Sequence, residues 1–220
     1  MSKSPLVLCL TNTVAANLTA NCLLAIGAKP AMVEEPCEAE ELAEKADALL
    51  VNLGTVTSAQ TEAMRKAIDV ATSRNIPRVL DPVGVQLLAF RRRLAQEFIA
   101  RHPSLIRCNQ AEAAFLGETG CTTLVTGEVD AIIVPDAPSR GERRQEIAGG
   151  TPLLQAVTAT GCAQGGLCAA FLGRGQSPAD AALSASKLLK RAGELALERT
   201  HEPGSLQVAL IDALWRLSHD

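Results

Sequence analysis

Short apolar runs recur along the chain, and each halts at a polar residue. Leu6-Val7-Leu8-Cys9-Leu10 stops at Thr11-Asn12, and the run 48–53 closes on Asn52-Leu53-Gly54-Thr55. The run 78–80 enters Asp81-Pro82-Val83-Gly84, and 105–108 leads into Asn109-Gln110-Ala111-Glu112. Strands this uniformly apolar have no face to turn toward water, so they predict a parallel sheet covered by helices on both sides. The intervening stretches have helical spacing over 14–26, 38–46, 58–75 and 91–101. Such alternation is the pattern of βαβ units in an α/β fold. Ligands of these sheets bind at the C-terminal ends of the strands, so Asn12, Asn52, Asp81 and Asn109 are expected along one rim.

The remaining elements follow from local signals. Gly27 ends the first helix, a short strand covers 30–33, and Ser58 is the expected cap of the helix 58–75. A strand over 122–126 closes on Gly127-Glu128. Residues 131–134 and 144–147 form a predicted antiparallel hairpin across 135–141, whose Pro, Asp, Ser and Gly are turn formers. Ser177, Pro178 and Asp180 open a helix over 178–200, and 206–217 follows Pro203-Gly204. The 220 residues contain no linker-like tract, so one domain is expected.

Composition excludes several classes of function. Lys plus Arg number 21 against 24 Asp plus Glu, a formal net charge of −3, which leaves no basic footprint for nucleic acid or anionic lipid. Arg91-Arg92-Arg93 is local and expected on a solvated helix face. No apolar stretch is long enough to span a membrane, and the run after Met1-Ser2-Lys3-Ser4-Pro5 is too short for a signal peptide. The seven cysteines are odd in number and lack C-x-x-C pairing, and His102, His201 and His219 have no metal-ligand spacing. A reducing, cytoplasmic location is therefore expected.

The segment Val157-Thr158-Ala159-Thr160-Gly161-Cys162-Ala163-Gln164-Gly165-Gly166 reads as a loop feeding a buried helix. A helix N-terminus offers unpaired N–H groups and the positive end of the macrodipole, which makes an anion site. Cys162 at that end is expected to have a lowered thiol pKa and to act as base or nucleophile. It reads equally well as a small buried hydrophobe, and the segment alone leaves both open. Asp81, Asn109 and Glu112 offer oxygen ligands for a cation such as magnesium, which takes one or two carboxylates plus substrate phosphates. A cation facing a helix N-terminus is a phosphoryl-transfer layout. No P-loop and no kinase-type glycine loop is present. A serine or cysteine hydrolase is the competing class, but a G-x-S-x-G elbow is lacking.

Longer motifs narrow the choice. The chain carries Thr11-Asn12-x-Val14, Thr19-Ala20-Asn21-x-Leu23-Leu24-Ala25-x-Gly27-Ala28-x-Pro30-Ala31-Met32, Asn52-Leu53-Gly54-Thr55 and Leu80-Asp81-Pro82-Val83-Gly84. These are followed by Ile106-Arg107-x-Asn109-x-x-Glu112, Val125-Thr126-Gly127-Glu128-x-Asp130, Thr160-Gly161-Cys162-Ala163, and Pro203-Gly204-Ser205 with Leu210-x-Asp212-Ala213-Leu214. Collinear over nearly the whole chain, they resemble the hydroxyethylthiazole kinase family of thiamine salvage. The resemblance implies a ribokinase-like three-layer sandwich with a mostly parallel central sheet, and transfer of the γ-phosphoryl group of MgATP to the alcohol of hydroxyethyl-methylthiazole. It also implies roles. Cys162 is the catalytic residue near the alcohol, and Gly161 with its neighbours' N–H groups stabilises the transferring phosphoryl. Asp81 and Glu112, with Asn109 nearby, serve magnesium and phosphate. Arg107 and Thr126 contact ATP, while Met32 and Asn12 line the thiazole pocket. A homotrimer with sites at subunit interfaces is implied as well.

The chain departs from the family at several points. Ala159 replaces the first glycine of G-T-G-C, where it contacts substrate and is strained if φ is positive. Cys108 replaces the glycine after the ATP-contacting arginine, and Glu202 replaces the glycine before the terminal Pro-Gly-Ser. The family's long helix after Glu112 has only 113–121 available to it here. The loss is expected to expose apolar sheet surface, or to leave 135–141 covering it. An active thiazole kinase and a catalytically weak thiazole-binding or regulatory homologue are the two functions compatible with this pattern.

Overall fold

The computed structural model describes residues 4–135 and 143–219. The chain runs β1 (Leu6–Leu10), α1 (Ala16–Ala25), β2 (Lys29–Met32), α2 (Pro36–Ala43), β3 (Ala48–Asn52), α3 (Ser58–Ser73), β4 (Arg78–Asp81) and α4 (Ala89–Ile99). It continues through β5 (Leu105–Asn109), α5 (Gln110–Leu116), β6 (Thr123–Thr126), β7 (Asp130–Val134), β8 (Arg143–Ile147), α6 (Thr160–Gly173), α7 (Pro178–Leu197) and α8 (Pro203–His219). The strands form one eight-stranded sheet in the order β2-β1-β3-β4-β5-β6-β7-β8. Pairing is parallel from β2 to β6 and antiparallel at the β6–β7 and β7–β8 edges.

Alternation along each strand feeds two cores. Val7, Cys9, Leu50, Val79, Leu105 and Leu124 face a cluster shared with α1, α6, α7 and α8. Leu8, Leu49, Val51, Leu80 and Ile106 face the opposite cluster with α2, α3 and α4. Helices thus cover both faces, as the two-sided apolar strands require, and each fully buried leucine or isoleucine contributes roughly 1.5–3 kcal/mol.

Helix α6 lies close to the sheet because glycines line its inner side. A Cβ on Gly165 would stand 3.1 Å from Leu50 Cδ1 and 3.6 Å from Asp81 Oδ2, and one on Gly166 would stand 2.8 Å from Thr19 Cγ2 on α1. This approach carries Cys162 down to the ends of the central strands.

Several boundaries differ from the sequence-based expectation. Thr57, not Ser58, caps α3, through a reciprocal capping box with Gln60 at 3.2 and 3.0 Å. Helix α8 begins at Pro203, because proline fits the first helical turn where its missing N–H costs nothing. A 3-10 turn at Pro152–Ala156 was not anticipated. Arg91 and Arg92 are not simply solvated. Arg91 Nη1 donates to the Val83 carbonyl at 3.0 Å, and the Arg92 guanidinium lies 4.5 Å from the Phe115 ring.

The β5–β6 crossover is short, as expected: α5 has seven residues and gives way to Gly117 and Gly120, both at positive φ (62° and 68°). Less sheet is exposed than the missing helix suggested. Ala113 and Leu116 of α5 reach the second cluster, and Cys121 and Val125 stay buried. The stretch expected to cover this side, 135–141, falls outside the described residues except for Pro135.

The glycine contacts are testable by urea denaturation. Gly166→Ala is expected to lose about 1–3 kcal/mol of stability through overpacking against Thr19. Gly204→Ala, a helical position with nothing within 4 Å, is expected to be neutral or slightly stabilising.

Candidate active site

Strand register gathers the polar strand ends. Asn52 pairs with Asp81 across β3 and β4, and Asn109 pairs with Thr126 across β5 and β6. Asn12 follows β1 by two residues, and Met32 ends β2 at the sheet edge, 37% exposed. Asn12, Asn52, Asp81, Arg107 and Glu112 are all buried. Side-chain hydrogen bonds join three of them in a row: Asn12 Nδ2 donates to Asn52 Oδ1 at 2.9 Å and Asn52 Nδ2 to Asp81 Oδ2 at 2.7 Å.

The N-x-x-E spacing at Asn109 and Glu112 makes a capping box. Asn109 Oδ1 accepts from Glu112 N, and Glu112 Oε2 accepts from Asn109 N, both at 2.9 Å. Glu112 Oε1 accepts from Gly84 N at 2.8 Å, so this carboxylate also fixes the loop after β4. That second partner was not legible in the motif.

Arg107 connects the sheet to α6. Its Nη1 lies 3.5 Å from Asp81 Oδ1, and its Nη2 donates to Thr126 Oγ1 at 2.7 Å. A Cβ on Gly161 would sit 2.2 Å from Nη2 and 2.7 Å from Cζ, so only glycine lets the guanidinium lie against the first turn of α6. A guanidinium cation and a positive helix end share this spot, with Asp81 the nearest negative charge. Together they favour a polyanion. Ala159, the N-cap of α6, has φ 68° and ψ 5°. The strain suspected at this position is therefore present, about 1–2 kcal/mol for a side chain in this region.

Sequence reasoning missed a second network behind Thr126. Buried Asp130 accepts from Gly127 N and Gln164 Nε2, both at 3.0 Å, and from Ser186 Oγ, and it lies 3.6 Å from Lys190 Nζ. Lys190 also donates to the carbonyls of Glu128 and Gly149, at 2.9 and 3.1 Å. The turn after β6 is thereby tied to α6 and α7. Its only sequence signal was the position of Asp130, four residues after Thr126.

The titration expected of Cys162 is corrected. Burial and the charge of Asp81 push its thiol up to about 11, against smaller lowering effects from Arg107 and the amides of Asn52 and Asn12. At neutral pH it is a thiol, because desolvation outweighs the helix terminus. Burial also raises Asp81 from 3.8 to about 6, with Arg107 the main opposing influence. A raised carboxyl retains its proton in the folded state after the unfolded chain has released it, so this group costs stability as pH rises from about 4 to about 6. Relative to Asp81→Asn, the wild-type unfolding free energy is expected to fall by on the order of 3 kcal/mol between pH 4 and pH 7. Denaturant titrations across that range read it directly.

Among the described residues no group of three or more His, Cys, Asp or Glu could hold a metal ion by itself, and no helix is long and apolar enough to cross a membrane. The hydroxyethylthiazole kinase family model matches in two overlapping pieces, residues 1–119 and 113–220, with the junction at α5. Hydroxyethylthiazole kinase from Cronobacter sakazakii is 42% identical over 238 residues, covering 96% of this chain and 88% of that protein. The Corynebacterium efficiens enzyme is 40% identical over 248 residues, covering 99% and 90%. Both aligned spans exceed the 220 residues of this chain, so the relatives carry segments absent here. The structure of a hydroxyethylthiazole kinase protein from Pyrococcus horikoshii superposes with TM-score 0.89 at 36% identity, over 97% of this chain and 88% of that one. Pyridoxal kinase from Staphylococcus aureus, at 13% identity and TM-score 0.64 over 88% of this chain and 89% of that one, shares the fold. With both halves matched by one family model and relatives 40–42% identical over almost its full length, the chain belongs to the hydroxyethylthiazole kinase family.

Proposed function

We propose that this protein transfers the γ-phosphoryl group of ATP to the hydroxyl of 4-methyl-5-(2-hydroxyethyl)thiazole. The observation that carries the reading is the convergence of Arg107, the glycine-opened first turn of α6, Asp81 and Cys162 at one rim, in a chain whose relatives bear that kinase name. Phosphoryl transfer asks a protein for position and for charge stabilisation on the moving group, and little covalent chemistry.

Magnesium fits the donors present. Asp81 Oδ1 is a buried oxygen with no hydrogen-bond partner, Glu112 is a second buried carboxylate, and a small protein ligand set suits a cation that keeps waters and binds substrate phosphates. Bound by Asp81 and Glu112, it would neutralise phosphate charge. Arg107 and Thr126 hold the nucleotide phosphates. Asn109, whose side chain is engaged in the α5 cap, contributes by keeping Glu112 in place. The N–H groups around Gly161 receive the transferring phosphoryl.

Cys162 stands beside the acceptor hydroxyl, with its sulfur receiving a hydrogen bond from Asn12 Nδ2 at 3.4 Å. In a loose transition state the alcohol keeps its proton until late and then gives it to an oxygen of the transferred phosphate, so a neutral thiol suffices to orient the hydroxyl. Asn12, Ala159 and Met32 line the thiazole side. Met32 and Val14 are 37% and 57% exposed, apolar surface that a neighbouring copy in a homotrimer would cover.

Purified protein with MgATP and the thiazole is expected to release the phosphorylated alcohol and ADP, read by mass spectrometry. Cys162→Ala should lose at least about tenfold in rate, while Cys162→Asp, which supplies a carboxylate as proton acceptor, should keep or raise it. Absence of product above the Cys162→Ala control would overturn the assignment.

A further inference from the structure

Asn52, to which no role is given above, makes three side-chain hydrogen bonds on the rim. It ends β3 and is completely buried. Its Oδ1 accepts from Asn12 Nδ2 and Gly54 N, both at 2.9 Å, and its Nδ2 donates to Asp81 Oδ2 at 2.7 Å. Asn12 is held in the same manner: its Oδ1 accepts from Ala15 N at 2.8 Å, so its amino group faces Asn52 and the Cys162 sulfur.

These partners give the pair a direction. Each amide has one oxygen facing fixed backbone donors, so neither can turn over without setting its NH2 group against an N–H. The backbone at Ala15 and Gly54 therefore dictates that N–H is presented to Asp81 Oδ2 and to Cys162 Sγ. Asp81 Oδ2 is committed as an acceptor, which leaves Oδ1 as the oxygen without a hydrogen-bond partner. The arrangement also explains Gly54, where a Cβ would lie 2.6 Å from Asn12 Nδ2.

We propose that Asn52 is a positioning residue for the transfer step, holding the carboxylate on the cation side and, through Asn12, the sulfur on the alcohol side in one fixed relation. This inference rests on the kinase reading above. Asn52 acts through Asp81 and Asn12 and touches no reacting atom. A leucine has the same branched outline and no polar group to satisfy, so a buried asparagine needs a reason such as this.

Wild type, Asn52→Leu, Asn12→Ala and the double variant are to be compared for thiazole phosphorylation, with thermal unfolding measured in parallel. Asn52→Leu is expected to lower kcat by about 10–100-fold, the range for a partner standing behind a ligating group. The thiazole KM should stay within about threefold, and the double variant should cost little more than the worse single one, because the two amides act as a unit. Retained kcat in Asn52→Leu, full additivity in the double variant, or a loss that merely tracks the unfolded fraction would each overturn the proposal. If Asn52→Leu does not fold, Asn52→Ala removes the donor to Asp81 and the link to Asn12 without overfilling the site, and the same kcat loss is expected of it. Wild-type turnover separates the two claims: without it the kinase reading fails, whereas turnover with an indifferent Asn52→Leu removes only the role of Asn52.

Discussion

A buried guanidinium beneath a helix tip organises this protein. Arg107 rises from β5 into the space between Asp81 and Gly161, and its Nε has no hydrogen-bond partner. Desolvating a cation is costly, and setting it against the positive end of α6 adds to that cost. Asp81, 3.5 Å away, offsets it, and with Glu112 holds the guanidinium above its ordinary pKa despite burial, while burial pushes Asp81's own carboxyl up to about 6. Arg107 and the N–H groups of the α6 turn are the positive groups that an entering anion meets. The glycines of α6 serve the same end, since Gly161 admits the guanidinium and Gly165 lets the helix settle onto Asp81.

The architecture was legible because its cause is simple. Leu6–Leu10 and Ala48–Asn52 are apolar on both faces, and such strands have few stable settings other than a covered parallel sheet. The rim followed from topology, so Asn12, Asn52, Asp81 and Asn109 could be placed together before any coordinate was known. What could not be read was the direction and ownership of polar contacts. The N-x-x-E spacing pointed to Glu112 as a cation ligand, while its reach to Gly84 N depends on where α5 sits relative to the loop after β4. The Asp130 network joins residues as far apart as Gly127 and Lys190, and no local pattern encodes that. The thiol of Cys162 went the opposite way from the helix-terminus rule because its burial, a tertiary property, outweighs a local dipole.

The shortened crossover falls at an instructive place. The family match breaks across residues 113–119, immediately after Glu112. Arg107, Asn109 and Glu112 survive because the capping box makes α5 self-sufficient at its start, whatever follows its seventh residue. Beyond that point Gly117 and Gly120 turn the chain directly into β6, and Arg92 stacks over Phe115 of α5. The rim residues and the segment after α5 are therefore separable parts, and the shortening falls in the second.

The most direct test of the central interaction is a calorimetric titration with magnesium and a non-hydrolysable ATP analogue, on wild type and on Arg107→Lys. A lysine keeps the charge but loses the planar fork that spans Asp81, Thr126 and the α6 turn. Magnesium-dependent binding to wild type, weakened at least about tenfold in Arg107→Lys, is the expected result. Equal affinity in the two proteins, or no binding to wild type at millimolar nucleotide, would contradict it.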